Sequence, residues 1–405
     1  MIAKKEGWIA RTLRPLGPGI ITAALVFGPS KITITSKMGA EYGFSLIWIV
    51  VVAVFFMAVF TMLATRIGIA SDQSLIGTVR KKMGKRTAVA TGVAVFLVTA
   101  SFQAGNAVGV GISLSELTGT PVKPWILICS LLSISLLFFR SFYKVLEKVM
   151  ILMIVLMLTA FLTTMLMVEA GVAEIASGLT PSLPQGSEGL SIAFVASCFS
   201  IVGASYQAYL VQQRRRIDPA GAQKGRDSLF GILILGLMSV TVLVCAAAVL
   251  YPRGIAVTSA TDMAKALEPV FGRYAFVLFL SGLFSASFSS LIGNASVGGI
   301  FLADALGYGS DFNAKPVRIF TAAIMVLGAA VAFIFGRLPI ELLIIAQRIT
   351  IFLVPFIGFA IFFIANDGQI MGRYRNSRLQ NVLAILGLCL LTGLAIKSIA
   401  DIFQY

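Results

Sequence analysis

The sequence predicts an all-α polytopic membrane protein of eleven transmembrane helices, arranged as a five-plus-five inverted repeat with broken first and sixth helices plus one extra helix. Three observations predict it. Of 405 residues, 58% are hydrophobic and 12% charged, well outside the composition of water-soluble globular chains. The apolar residues gather into runs of about 20, the length that crosses a bilayer. Two of these runs, five apart, carry small, polar or helix-breaking residues at mid-length, the sequence mark of inverted-repeat transporters whose broken helices meet at a solute site.

The first run, 18–42, holds Phe27, Gly28, Pro29, Ser30 and Lys31 at its centre. Proline removes a backbone donor and glycine weakens the helix, so carbonyls near Leu25 and Val26 lose their partners. In hydrocarbon such freed groups survive only where they line a cavity. A lysine at the same depth sharpens the point, because intramembrane charges are costly and mark a solute path. Spans follow at 44–67, 88–117, 125–139 and 145–168. The sixth run, 190–212, contains the patch Ser200, Ile201, Val202, Gly203, Ala204, Ser205, Tyr206, Gln207, which matches the first break by position. The remaining spans are 229–250, 274–305, 319–335, 338–364 and 382–399. The chain accordingly divides into a first five-helix repeat (1–168), a second inverted repeat (169–365), and a cytoplasmic loop with the eleventh helix (366–405).

Basic residues set the expected orientation, since cytoplasmic loops carry the excess. Lys4, Lys5, Arg11 and Arg14 share a side with Arg80, Lys81, Lys82, Lys85 and Arg86, with Arg140, Lys144 and Lys148, with Arg214, Arg215, Arg216, Lys224 and Arg226, and with Arg373, Arg375 and Arg378. The loop 169–188 has none. The expectation is a multi-pass plasma-membrane protein with a cytoplasmic N-terminus and, after eleven spans, Tyr405 outside. The net charge of +15 is therefore a topology signal and not a nucleic-acid surface. Residues 1–14 are basic and run straight into the first span, so a cleavable signal peptide is not expected. Cys129, Cys198, Cys245 and Cys389 all fall in apolar runs, at spacings of neither a disulfide framework nor a metal site.

These features resemble the Nramp family of divalent-metal transporters, whose fold is the inverted five-plus-five arrangement of sodium-coupled amino-acid transporters. The resemblance covers nearly the whole chain. It rests on Leu16, Gly17, Pro18 and Gly19, on 39–48, on Gly203 and Ala204 with Leu210, Val211 and Gln212, on the serine-rich stretch 283–299, and on Ala346, Gln347, Val354, Pro355, Phe356, Met371 and Gly372. The family's metal-gripping motif, Asp-Pro-Gly-Asn, stands here as Gly28, Pro29, Ser30 and Lys31. Its Met-Pro-His is Gln207, Ala208 and Tyr209, and the third-span acids are replaced by Gln103 and Asn106. The chain has no histidine, and only Gln347 keeps the family's tenth-span glutamine.

The candidate site chemistry follows from those departures. Hard divalent cations want several oxygen ligands with carboxylates among them, yet mid-membrane positions offer Lys31 and Arg348 and no acid. A cargo that supplies the missing negative charge is the economical reading, and the helix N-terminus after the break favours a carboxylate too. The candidate substrate-binding residues are Gly28, Ser30, Lys31, Ala204, Ser205, Gln207, Tyr209, Gln347 and Arg348, with Tyr209 closing the site. Each has a plainer reading: Lys31 snorkelling to a vestibule, Arg348 clamping freed carbonyls, and the two glutamines joining helices. Lys37 is either a steering charge or an interfacial residue. Leu25, Ala286, Ser289 and Ser290 resemble the small-x-x-hydroxyl-hydroxyl pattern of a sodium site in relatives of this fold, with helix packing as the plainer reading and a proton as the rival coupling ion. Gly109, Gly111, Gly293 and Asn294 are read as packing residues, and Arg214 to Arg216 as an anchor beside anionic lipid.

The expected function is secondary transport of a small organic anion or amino-acid-like carboxylate, pyroglutamate being one that fits in size and charge, coupled to Na⁺ or H⁺. The alternative is a divalent metal cation of manganese or magnesium type, as in the parent family. No cofactor and no resident metal are expected; the partners are the solute or ion and the lipid bilayer. Acid-base or nucleophilic chemistry has no suitable groups in mid-span, so no enzyme activity is expected. Oligomeric state is not written in the sequence.

Overall fold

The structure is a computed structural model that describes residues 17–139, 142–168, 170–217, 226–259, 261–335 and 340–403. It is helical throughout, with no strand among the described residues. The first span is two helices, α1 (Gly17–Val26) and α2 (Pro29–Tyr42), bent by 61° at Phe27 and Gly28. Then come α3 (Ile47–Ala70), a short amphipathic α4 (Leu75–Met83), α5 (Lys85–Thr118), α6 (Val122–Leu136), α7 (Phe142–Val168) and α8 (Val172–Ser177). The second half holds α9 (Glu188–Cys198), α10 (Ile201–Ile217), α11 (Arg226–Val249), α12 (Asp262–Leu306), α13 (Lys315–Phe335), α14 (Ile340–Asn366), α15 (Gly368–Met371) and α16 (Arg378–Phe403).

One expectation is left unconfirmed and one needs correction. Among the described residues, eight helices are long and apolar enough to cross a membrane, or ten when each of two bent pairs counts as one span. An eleventh depends on α6, an apolar helix of only 15 residues, so the expected count is not reached on length and apolarity alone. The sixth-span interruption is also shorter than expected. It is confined to Phe199 and Ser200, while Gly203, Ala204, Ser205 and Gln207 are helical. Ser200 starts α10 by accepting the N–H of Gly203 on its hydroxyl at 3.1 Å, as an N-cap serine does. The patch reads as unwound because small polar residues serve helix starts and helix contacts equally well.

The core that surrounds the first break is built by α5 and α12, which run along one another, with α7 and α13 flanking them and α11 lying against α1, α2 and α3. Close approach is obtained by removing side chains. A Cβ at Gly109 of α5 would come within 2.8 Å of Pro29 Cβ, and one at Gly293 of α12 within 2.5 Å of Leu25 Cβ. Both glycines therefore pack as expected. In α12 the backbone turns out of helical geometry at Gly272 (φ 79°), three residues after Pro269, so the span proper starts beyond that kink.

The basic loops collect at one end. Arg80 of α4 donates to the carbonyls of Asp304 and Ala305 at 3.0 and 2.6 Å, satisfying the last turn of α12. Lys82 pairs with Asp367, Arg214 with Glu147 at 2.9 Å, and Arg215 with Asp72 at 3.3 Å. Gln212 donates to the carbonyls of Ser71 and Gln73 at 3.1 and 2.6 Å. Together these tie α10 to the α3–α4 connection and to α7, and α4 to α12, sealing that end of the bundle.

Candidate functional site

The site begins with the sequence Phe27-Gly28-Pro29. Pro29 cannot donate, so α1 stops at Val26; Gly28 is extended (φ −96°, ψ 178°), and Pro29 takes the first position of α2, where its missing N–H costs nothing. Glycine at 28 leaves room for the α12 serine, since a Cβ there would lie 2.8 Å from Ser290 Oγ and would displace that hydroxyl. The carbonyls released at the end of α1 are met by serines of α12. Ser290 Oγ donates to the Leu25 carbonyl at 3.0 Å. Ser289 Oγ lies 2.9 Å from the Ala24 carbonyl and 3.0 Å from its own helix's Ala286 carbonyl. The four residues of the sodium pattern thus converge, with Ala24 added, and the hydroxyls themselves satisfy the freed backbone.

Beside the break is a pocket of about 50 Å³, enough for a few waters. Both interrupted spans line it, through Gly28, Ser30 and Lys31 on one side and Ser197, Ser200 and Gly203 on the other. α5 contributes Thr99 and Asn106, α12 Asn294, and α14 Thr350.

Lys31 is its most unusual member. The side chain is 1% exposed, and its ammonium makes no hydrogen bond. It sits 5.9 Å from the centroid of the Phe194 ring, with the Cys198 thiol beside it but not in hydrogen-bond geometry. It also occupies the third position of α2, where the helix dipole is positive and a cation is least welcome. Lys37, two turns on, differs in having Glu41 at 3.5 Å to oppose it.

Several expected site residues lie elsewhere. Ala204 and Ser205 are buried on α10 but do not line the pocket, and Ser205 bonds back to the Val202 carbonyl at 2.8 Å. Gln207 is one turn beyond Gly203. Its Oε1 accepts from Thr22 at 2.5 Å and its Nε2 donates to Ser228 at 2.7 Å, so it joins α1 to α11. Tyr209 is further still, donating to Asp304 Oδ2 at 2.6 Å and accepting from the Ile76 N–H at 3.3 Å. It bridges α4, α10 and α12 at the sealed end. Gln347 and Arg348 are on α14, and their side chains lie outside the described residues.

Asn106 and Asn294 were given no site role by the sequence. Asn106 is steadied by Gln103, whose Oε1 accepts its amide at 3.4 Å while Gln103 Nε2 donates to the Leu291 carbonyl at 2.7 Å. Asn294 follows Ser290 by four residues, so helical spacing from the serine pair was the signal that pointed to it. Among the described residues, no group of three or more His, Cys, Asp or Glu is placed to hold a metal ion.

A family model described as "natural resistance-associated macrophage protein-like" matches residues 19–401. The chain belongs to the Nramp family. Among Nramp relatives it is similar to the "divalent metal cation transporter MntH" of Deinococcus radiodurans, 23% identical over 359 residues that cover 86% of this chain and 80% of that one. Its fold matches the crystal structure of a mutant of the manganese transporter of Eremococcus coleocola, with a TM-score of 0.77 at 17% identity, over 99% of this chain and 89% of that one. The crystal structure of MhsT in complex with L-phenylalanine matches at a TM-score of 0.60 and 14% identity, over 97% and 100% of the two chains. The Nramp chain described here is thus a multi-pass membrane transporter of this all-helical fold.

Proposed function

We propose that the chain is a secondary active transporter whose cargo is a small organic anion or amino-acid-like carboxylate, moved by alternating access past the two helix breaks. The single observation behind this is the buried ammonium of Lys31 in the wall of the pocket, which has no hydrogen bond and no carboxylate beside it. An ion held so deep without a partner costs several kcal/mol. An arriving carboxylate relieves that cost, which makes the charge useful only when cargo is bound. Ser30, Asn106 and Asn294 supply neutral donors and acceptors to orient the remainder. The pocket as it stands is too small for such a solute, so binding requires it to widen.

Sodium is the favoured coupling ion, because the carbonyls of Ala24 and Leu25 and the hydroxyls of Ser289 and Ser290 already converge. The excess of basic residues at the sealed end supports a cytoplasmic assignment for that end.

The family favours a second reading, transport of a divalent metal cation. The relatives' names, a divalent metal cation transporter and a manganese transporter, support it better than they support an organic anion. In that reading Lys31 is deprotonated or turned aside, and Asn106, Asn294 and freed carbonyls form the ligand set. The lining of the pocket favours the first reading and the family the second. A thermal-stability screen separates them, because a ligand that binds the native state raises its melting temperature. Mn²⁺, Mg²⁺ and a panel of small carboxylates are tested on wild type and Lys31→Ala. Stabilisation by a carboxylate, lost in Lys31→Ala, supports the anion; stabilisation by a metal, kept or improved in Lys31→Ala, supports the cation.

A further inference from the structure

Resting on the anion reading, we infer that the site selects carboxylates that carry no ammonium of their own, and rejects zwitterionic amino acids. Charge and the bonds already made at the helix break both favour such a cargo. Among the described residues Lys31 is the one basic side chain that lines the pocket, and no Asp or Glu lines it. A monoanion brings pocket and cargo to neutrality. A zwitterion leaves the net charge where it was and places a second ammonium within a few ångströms of the first, where the medium screens poorly.

Backbone carbonyls at a helix break are the obvious seat for a cargo ammonium. Here the Leu25 carbonyl already accepts from Ser290 at 3.0 Å and the Ala24 carbonyl from Ser289 at 2.9 Å. Each of these carbonyls therefore already holds one hydrogen bond from α12, which leaves a cargo ammonium only the second lone pair of each. What the pocket offers around Lys31 is neutral: the amides of Asn106 and Asn294 and the hydroxyl of Ser30. Such groups suit a hydroxyl, carbonyl or amide on the cargo.

The test uses matched pairs that differ at one group, on purified full-length protein. Lactate is compared with alanine, and pyroglutamate with proline, as stabilising ligands, with Mn²⁺ in a parallel arm and Lys31→Met as the charge-free variant. The expected result is that at least one anion of these pairs stabilises wild type while its zwitterionic partner binds on the order of 100-fold more weakly or not at all. That ratio is read in wild type and needs no variant. If alanine or proline stabilises as well as its anionic partner, and the effect is lost in Lys31→Met, the selectivity inferred here is overturned while the carboxylate site stands. If Mn²⁺ alone stabilises, or no member of either pair does, both the selectivity and the anion reading fall.

Discussion

Ser290 Oγ donates to the carbonyl of Leu25 at 3.0 Å, joining α12 to the end of α1 where Pro29 has broken the helix. A backbone acceptor freed by sequence in the first half of the chain is thus answered by a hydroxyl from the second half. The double substitution Ser289→Ala and Ser290→Ala leaves two buried carbonyls without donors and is expected to cost about 1–3 kcal/mol for each, read as a lower melting temperature. The same variant tests the coupling ion. Na⁺ is expected to raise the melting temperature of wild type and not of the variant; no Na⁺ effect on wild type points to protons.

Gly109 should tolerate nothing larger. Its missing Cβ is what lets α5 touch Pro29, at 2.8 Å for the added atom, and Ser287 Oγ, at 2.5 Å. Gly109→Val must push α5 away from the break, and an overpacked contact of this kind costs about 1–3 kcal/mol. Loss of transport with full-length protein still in the membrane is the expected readout.

Gln207 distinguishes a joint from a ligand. Bonded to both Thr22 and Ser228, it has both polar atoms of its amide engaged between helices and away from the pocket. Gln207→Leu is expected to lower stability by about 1–3 kcal/mol through the partners left behind, with the order of preference among cargos unchanged. A reordered preference would show that the side chain reaches the cargo in another state of the transport cycle.

Tyr209→Phe removes the donor to Asp304, a carboxylate otherwise 7% exposed. The contact is one of several that hold the end bearing Arg80 and Arg214 shut. The variant is expected to open that end more often, which a single cysteine placed at Ser205, beyond the pocket, reports as faster labelling from that side. Unchanged labelling would assign Tyr209 to packing alone.

The first break was legible because proline and glycine act on the backbone whatever surrounds them, and Lys31 because a charge in an apolar run needs a partner or a path to water on either of its readings. The second break was misjudged in extent, since Ser200 to Gln207 has the composition of an unwound stretch and of a helix packed against neighbours, and only the N-cap bond at Ser200 decides between them. Gln207 and Tyr209 share a helix with Gly203 but lie further along its axis, by about 6 and 9 Å at 1.5 Å per residue. Sequence gave their helix and not their depth. Asn294 illustrates the converse, a residue read as packing that helical spacing from Ser290 brings to the pocket wall.

The central claim is that cargo neutralises Lys31, and uptake into proteoliposomes tests it most directly. Wild type and Lys31→Met are reconstituted in parallel and assayed for the best-stabilising carboxylate and, with a metal-quenched dye inside, for Mn²⁺. The account predicts carboxylate uptake by wild type that disappears in Lys31→Met, with no Mn²⁺ entry in either. Mn²⁺ uptake by wild type that persists or rises in Lys31→Met, without carboxylate uptake, would contradict it.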